Sequence, residues 1–317
     1  MRLVTRSDFD GLVCGVLLKE AGVIDSMKFV HPKDIQDGKV EITPDDVLTN
    51  IPYVPGCGLW FDHHSSESER ALHEEHRFAG SCKAAPSCAR VVWDYYGGKQ
   101  RFERFHDLMT AVDKFDSATL DPDDIFHPKD WILLAYVMDP RTGLGRYHDY
   151  RISNYQLMED MIDYCRTMTV DEILDLPDVQ ERVTRYFEHE PKFLKFLKDH
   201  STVHGTVLVT DLRGAEETPC GNRFMPYALF TEPTISIRII DGKADEFCVF
   251  AVGHNIFDKS SLTNVGSLML KYGGGGHERA GTCQVPYEDA GRVLKELIAE
   301  MNKDARISEM VTATSHR

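Results

Sequence analysis

WFDHHSS, residues 60–66, brings an apolar run to an end in one aspartate and two adjacent histidines. Taken with the residues before it, GLWFDHH reads as a strand whose last positions, Asp62, His63 and His64, emerge at a polar end. The same form recurs upstream. Residues 2–5 read as a short strand leading into SDFDG (7–11), and MKFVHP (27–32) and DVLTNIP (46–52) are further apolar runs that finish in polar residues. Between them LVCGVLLKEAG (12–22) reads as a helix closed by Gly22, and SCARVVWDYYG (87–97) as another. Apolar strands alternating with helices specify an α/β fold with a mostly parallel sheet. Ligands of such sheets gather outside the carboxyl ends of the strands, so Asp8, Asp10, Asn50 and Asp62 are placed where one crevice can collect them.

Downstream, residues 101–199 have a helical pattern that finishes in the charged run EHEPKFLKFLKDH, and a second set of strand-like runs follows: HGTVLVTDL, TISIRII and FCVFAVG. These lead to KYGGGGHERAG (271–281) and to an amphipathic helix near DAGRVLKELIAEMN. The expected organisation is an α/β domain over 1–190, a connection over 191–203, and a smaller α/β domain over 204–317, with a catalytic cleft between them. A chain of 317 residues suits two cores better than one.

A formal net charge of -15 argues against duplex nucleic acid as a partner, because counterion release needs clustered Lys and Arg. A small anion remains compatible, since local cations reverse the field inside one cleft. None of the eight cysteines forms a CxxC pair, which favours free thiols and a reducing, cytoplasmic setting. The N-terminus carries no signal-peptide pattern, and no apolar segment approaches the ~20 residues that span a bilayer, so no membrane partner is expected.

Three acidic or histidine-bearing segments converge on metal chemistry. In SDFDG, Asp8 and Asp10 either cap a helix or face a shared cation, with Gly11 allowing a tight approach. Imidazole beside carboxylate in DHH suits manganese, iron, cobalt or zinc better than calcium. In TAVDKFDS, Asp113 and Asp116 stand at i and i+3 of a helix end, as further ligands or as a solvated face around Lys114. Asp8, Asp10, Asp62, His63, His64 and Asp113 together make a site for two divalent cations, and two cations about 3.5–4 Å apart can clamp an oxyanion for phosphoester hydrolysis. The glycines of GGGGHERAG expose backbone amides to a phosphate or sugar, and His277 offers a proton to a leaving oxygen. The segment is neither a Walker loop nor a dinucleotide fingerprint. HEEH (73–76) lacks the spacing of a zinc motif and reads as a solvated helix. Phe224 and Tyr227 read as packing residues before base-stacking ones.

With these residues in place, the chain resembles the DHH phosphoesterase superfamily, in its subgroup with a C-terminal DHHA1-type substrate-binding domain. SDFDG, FDHH, AVD (111–113), APSCARVVWDYYG and KYGGGGHERAG carry the resemblance, with GGGGH about two hundred residues after FDHH. It implies an enzyme that hydrolyses a small phosphorylated substrate: a short oligonucleotide, a phosphoadenosine phosphate, a cyclic dinucleotide or a short polyphosphate. The implied cofactor is a divalent metal, Mn2+ foremost, with Mg2+ or another divalent cation as alternatives. The resemblance carries Asp8, Asp10, Asn50, Asp62, His63 and Asp113 to metal positions, and Asp62, His64 and His277 to catalytic ones. Arg238, Gly274, Gly275, Gly276 and His277 correspond to substrate contacts, and Arg6 joins them as a candidate phosphate contact. An exposed sheet edge is compatible with a homodimer.

Two positions depart from the family pattern. Arg6 stands where relatives carry a histidine, and Asn50 where they carry an aspartate that bridges both metals. An arginine cannot ligate a cation and repels one. Three outcomes fit: one remaining cation with slow hydrolysis, Arg6 acting as an electrostatic clamp in place of a cation, or a catalytically weak or inactive protein that binds a phosphorylated ligand.

Overall fold

The computed structural model describes residues 1–64, 77–242 and 246–315, with side chains given for all of these except Gln36 and 304–315. HEEH lies outside the described residues. The chain divides into two compact units, Met1–Phe187 and Glu188–Arg317. Among the described residues no helix is long and apolar enough to cross a membrane.

The first unit is built on five strands, β1 (Arg2–Arg6), β2 (Ser26–Val30), β3 (Asp46–Thr49), β4 (Leu59–Asp62) and β5 (Gly80–Cys82). All four pairings are parallel, in the order β2-β1-β3-β4-β5. A strand covered on both faces must be apolar on both. β3 is accordingly buried at every position, and in β4 Trp60, Phe61 and Asp62 are buried in succession. Its longer helices are α1 (Phe9–Glu20), α2 (Cys88–Tyr95), α3 (His106–Asp116), α4 (Asp130–Met138), α5 (Asn154–Thr167) and the start of α6 (Pro177–His200). α1 is buried along ten consecutive residues from Phe9 to Leu18, which explains why its apolar residues show no one-sided stripe. At the amino ends of the strands, Arg2 on β1 holds Asp46 on β3 through bonds of 2.7 and 2.9 Å. The strand order reverses at β1 and β3, and ligand groups of such sheets collect outside the carboxyl ends beside that point.

The division between the units falls within the residue range of α6. Pro191 offers no N–H to the carbonyl of Phe187, four residues earlier, and the division falls at that residue. Residues 191–203, expected as a connection, fall in the second half of α6 and in β6 (Ser201–His204).

The second unit holds a six-stranded sheet in the order β10-β11-β9-β8-β7-β6, from β6, β7 (Val207–Asp211), β8 (Ile235–Asp241), β9 (Phe247–His254), β10 (Gly275–His277) and β11 (Ala280–Pro286). Only β7 and β8 pair in parallel. Here the sequence alternates, because the helices pack on one face. Ile235, Ile237 and Ile239 of β8 are buried with Phe250 and Val252 of β9 and Cys283 and Val285 of β11, against α7 (Val265–Leu270) and α8 (Ala290–Ser315). Burying each large aliphatic or aromatic side chain contributes about 1.5–3 kcal/mol. Register places Arg238, Ala251, Thr282 and Gly275 side by side on the opposite face, and beside them Ser236, Gly253, Ala280 and His277.

Candidate active site

The carboxyl ends of β1, β3 and β4 deliver the acidic and imidazole groups to one place. Past β1, Asp8 is the N-cap of α1, accepting from Gly11 N at 3.0 Å, and Asp10 lies one residue inside the helix. Gly11 is required there, since a Cβ would lie 2.1 Å from the Arg6 carbonyl. Past β3, Asn50 takes a left-handed backbone (φ 55°) and turns its amide toward Asp8, donating to Oδ1 at 3.1 Å. Arg6, the last residue of β1, sets its Nε 3.0 Å from Asp8 Oδ2.

Asp62 ends β4 fully buried. Its Oδ1 accepts from His63 N, His64 N and His64 Nδ1 at 2.6, 3.0 and 2.6 Å, while Oδ2 has no hydrogen-bond partner. This bend fixes both imidazoles. His63 Nδ1 lies 3.1 Å from the Ala85 carbonyl, which only accepts, so Nδ1 carries a proton and the ring is turned with Nε2 toward the carboxylates. That Nε2 lies 3.3 Å from Asp116 Oδ2 and 3.8 Å from Asp10 Oδ2 without a hydrogen bond.

Two carboxylates and an imidazole nitrogen brought this close together make a donor set of the kind that a divalent cation binds. Asp10, His63 and Asp116 form one such group and Asp62, His63 and His64 another, each with its ligand atoms within 4.8 Å of one another. One imidazole among carboxylates suits a first-row divalent ion or magnesium, with the Ala85 carbonyl orienting the histidine. The residues therefore fit the implied cation. The electrostatics agree: burial, then the charges of Asp116 and Asp8, push the Asp10 carboxyl well above the ordinary range, against the opposing pull of the Ala89 and Cys88 N–H groups. Burial disfavours the His64 imidazolium, but the Asp62 hydrogen bond and the charges of Asp62 and Asp116 outweigh it and hold His64 above its usual value.

Asp113, expected in the metal set, is turned elsewhere. Its Oδ2 accepts from Arg90 Nε and a terminal guanidinium nitrogen at 2.9 and 2.6 Å, and its Oδ1 accepts from Ser87 at 2.7 Å. Asp116, one turn later on α3, reaches His63 in its place. Ser87 is the N-cap of α2, and the first N–H groups of α2 bind Asp10, so Asp113 acts on the cluster by holding that helix.

Sequence reasoning overlooked Arg141. It sits in DPRTG (139–143), held at 2.8 and 2.9 Å by the buried Asp139. Burial works against its charge, but Asp139 outweighs it, and the charges of Asp8 and Asp116 add to that support. Its guanidinium thus stands in the field of the acidic cluster. The Asp-Pro-Arg turn closing an apolar helix was the one signal available.

In the second unit Arg238, Gly275 and His277 share the sheet face opposite α7 and α8, beside the short side chains Ala251, Ala280 and Thr282, while Tyr227 lies over Ser236 and Gly253. Tyr227 donates to or accepts from Ser236 on this face at 2.9 Å, and burial raises its phenol against the charges of Arg223 and Arg238 nearby. Arg223 is thus a further cation beside Arg238, lying 3.9 Å over the ring of the buried Phe224. The four glycines divide in purpose. A Cβ on Gly274 would lie 2.1 Å from the Thr282 carbonyl and one on Gly276, at φ 152°, 2.3 Å from that of Ala280, whereas Gly275 faces open space. Gly276→Ala is expected to cost about 1–3 kcal/mol and Gly275→Ala less than about 0.5 kcal/mol, as read from urea denaturation of the two variants.

Among solved structures, the chain is similar to "pGpG-specific phosphodiesterase - PggH" from Vibrio cholerae, at 50% identity and a TM-score of 0.82, covering 96% of this chain and 99% of that one. It is also similar to RecJ in complex with Mn2+ from Thermus thermophilus, at 12% identity and a TM-score of 0.50, covering 95% of this chain and 52% of that one, a likeness of fold. No family model and no curated protein matches.

Proposed function

Because the chain belongs to the DHH/DHHA1 phosphoesterases, and within them to the family of PggH, a metal-dependent phosphoesterase acting on a small phosphorylated substrate, we propose that its substrate is a short linear dinucleotide of the pGpG type. The observation that carries this reading is the 50% identity, sustained over 96% of the chain, to a pGpG-specific phosphodiesterase. The reading also favours turnover over ligand binding alone.

In the proposed reaction the oxygen of water bonds to phosphorus, the bond from phosphorus to the 3'-oxygen of the first nucleoside breaks, and a proton passes to that oxygen. Asp10, His63, Asp116 and Asp62 are the proposed holders of a divalent cation, manganese or magnesium by the donor set. When bound, such an ion polarises a phosphoryl oxygen and acidifies water. Asp62 fixes His64, and His64, Arg6 and Arg141 present positive charge to phosphoryl oxygens. Arg238, Gly275 and His277 are the proposed contacts for the substrate's remaining phosphate and ribose, since Gly275 faces open space. His277 there serves the leaving oxygen. The free state of all eight cysteines supports a cytoplasmic setting.

The test is nucleotide release from pGpG, pApA, 3'-phosphoadenosine 5'-phosphate, cyclic di-GMP and pyrophosphate, with Mn2+, Mg2+, Zn2+ or chelator. Cleavage of pGpG to mononucleotides with Mn2+, lost in chelator, is the expected result. Folded protein that binds pGpG without cleaving it would establish a binding protein instead. Arg238→Ala is expected to raise KM for pGpG by about 10–100-fold with a smaller change in kcat, the worth of one charged hydrogen bond. An unchanged KM would remove Arg238 from the substrate site.

A further inference from the structure

The two halves of the acidic cluster differ in electrostatic state. Asp8 is saturated by donors. Its Oδ1 takes the Gly11 N–H and the Asn50 amide, and its Oδ2 faces the Arg6 guanidinium, so the charge of the carboxylate is already met by a fixed cation. Asn50 is held in place as well as pointed: it is buried, in a left-handed conformation, and its backbone N–H donates to the Phe61 carbonyl at 3.2 Å. On the other side, Asp10 and Asp116 lie 3.8 and 3.3 Å from His63 Nε2, and the unpartnered Oδ2 of the buried Asp62 lies next along the chain, a concentration of ligand atoms that a dication suits. Among the described residues neither metal-shaped group includes Asp8.

We propose that the protein carries one divalent cation per chain, at Asp10, His63 and Asp116, and that Arg6, anchored on Asp8 and backed by Asn50, is a built-in second positive charge that takes the place of a second ion. A dication at Asp8 would have to displace the guanidinium or lie against it, and Asn50 adds no negative charge to attract one. Arg6 Nε lies 3.0 Å from Asp8 Oδ2 and its side chain is 37% exposed, so the guanidinium is both anchored on the carboxylate and open to solvent, from which a phosphoryl oxygen can approach. A charge bound covalently to β1 stays in place when metal is scarce. The consequence is an enzyme whose phosphate clamp persists without metal while its cleavage depends on a single ion.

This inference rests on the proposed hydrolysis only for what Arg6 contacts; the ion count stands apart from it. The experiment is Mn2+ titration of the full chain by isothermal calorimetry, with bound metal counted by elemental analysis and the Mn2+ electron paramagnetic resonance spectrum recorded at saturation. One equivalent per chain and the six-line spectrum of an isolated ion are expected. Two equivalents, or the spectrum of a spin-coupled pair, would overturn the proposal even if pGpG is cleaved. The double variant R6H/N50D, which supplies a nitrogen ligand and a second carboxylate, is expected to bind a second equivalent. A folded double variant that still binds one would overturn the role given to Arg6 and Asn50. If that variant folds poorly, the count for the unaltered chain decides. A metal-free binding measurement completes the test: pGpG affinity in chelator is expected to fall at least about tenfold in Arg6→Gln, and no fall would overturn the clamp. Absence of cleavage with one bound ion would instead fail the proposed function and leave the ion count standing.

Discussion

Asp116→Asn is expected to lower kcat by more than about 100-fold and to weaken Mn2+ binding at least as much, since even residues that only orient a metal ligand are worth 10–100-fold. Asp113→Asn, three residues earlier on the same helix, is expected to leave Mn2+ affinity nearly intact and to cost stability instead, about 1–3 kcal/mol. The contrast follows from what each carboxylate touches. Asp116 Oδ2 lies 3.3 Å from Nε2 of His63, in company with Asp10. Asp113 spends both oxygens on Ser87 and Arg90, and an amide in its place accepts at one atom only and leaves the guanidinium without a counter-charge. Because Ser87 caps the helix that binds Asp10, a secondary loss of activity in Asp113→Asn is expected, smaller than that of Asp116→Asn. Calorimetric Mn2+ titration and urea denaturation of both variants separate the two effects. The reverse pattern would return Asp113 to the metal set.

The second large effect is expected at Asp62. One oxygen of this fully buried carboxylate receives two backbone N–H groups and the His64 ring. Asp62→Ala therefore strands three donors at the bend that aims both histidines, and is expected to destabilise the protein by about 2–5 kcal/mol and to abolish measurable turnover. Asp62→Asn keeps one acceptor oxygen for the bend but loses the charge beside His64. It is expected to restore most of the stability and little of the activity. Denaturation midpoints and kcat for the pair provide the check: if Asp62→Asn recovers activity along with stability, Asp62 supports the bend alone. The His64 pH dependence has a definite sign in metal-free protein. A folded-state value above the usual one means stability that is complete below the unfolded value and lost as pH rises through the folded value.

Comparison of residues shows how far local pattern reached. The parallel sheet was legible because strands covered on both faces are written as unbroken apolar runs, and in the second unit because β8 alternates isoleucine with polar residues. Placement of Asp8, Asp10, Asn50 and Asp62 in one crevice was legible too, because the polar end of a buried parallel strand lies at the sheet's carboxyl edge wherever it occurs in the chain. β5 was missed: its three residues carry no apolar run, and only pairing with β4 makes them a strand.

What the sequence by itself determined is therefore the chemistry available and the edge of the sheet at which it collects, since side-chain type and strand period are local properties. What only the tertiary structure decided is which groups meet. Asp113 and Asp116 are one turn apart, about 4.5 Å along the helix axis, and nothing in TAVDKFDS says which of them turns to the histidines. The choice follows from Arg90, which lies on another helix and claims Asp113. Arg6 and Asn50 read in sequence as lost ligands; in three dimensions both are found on Asp8 and neutralise it. Coulomb and hydrogen-bond energies depend on distances between atoms remote along the chain, and those distances are fixed only when the sheet and its helices pack.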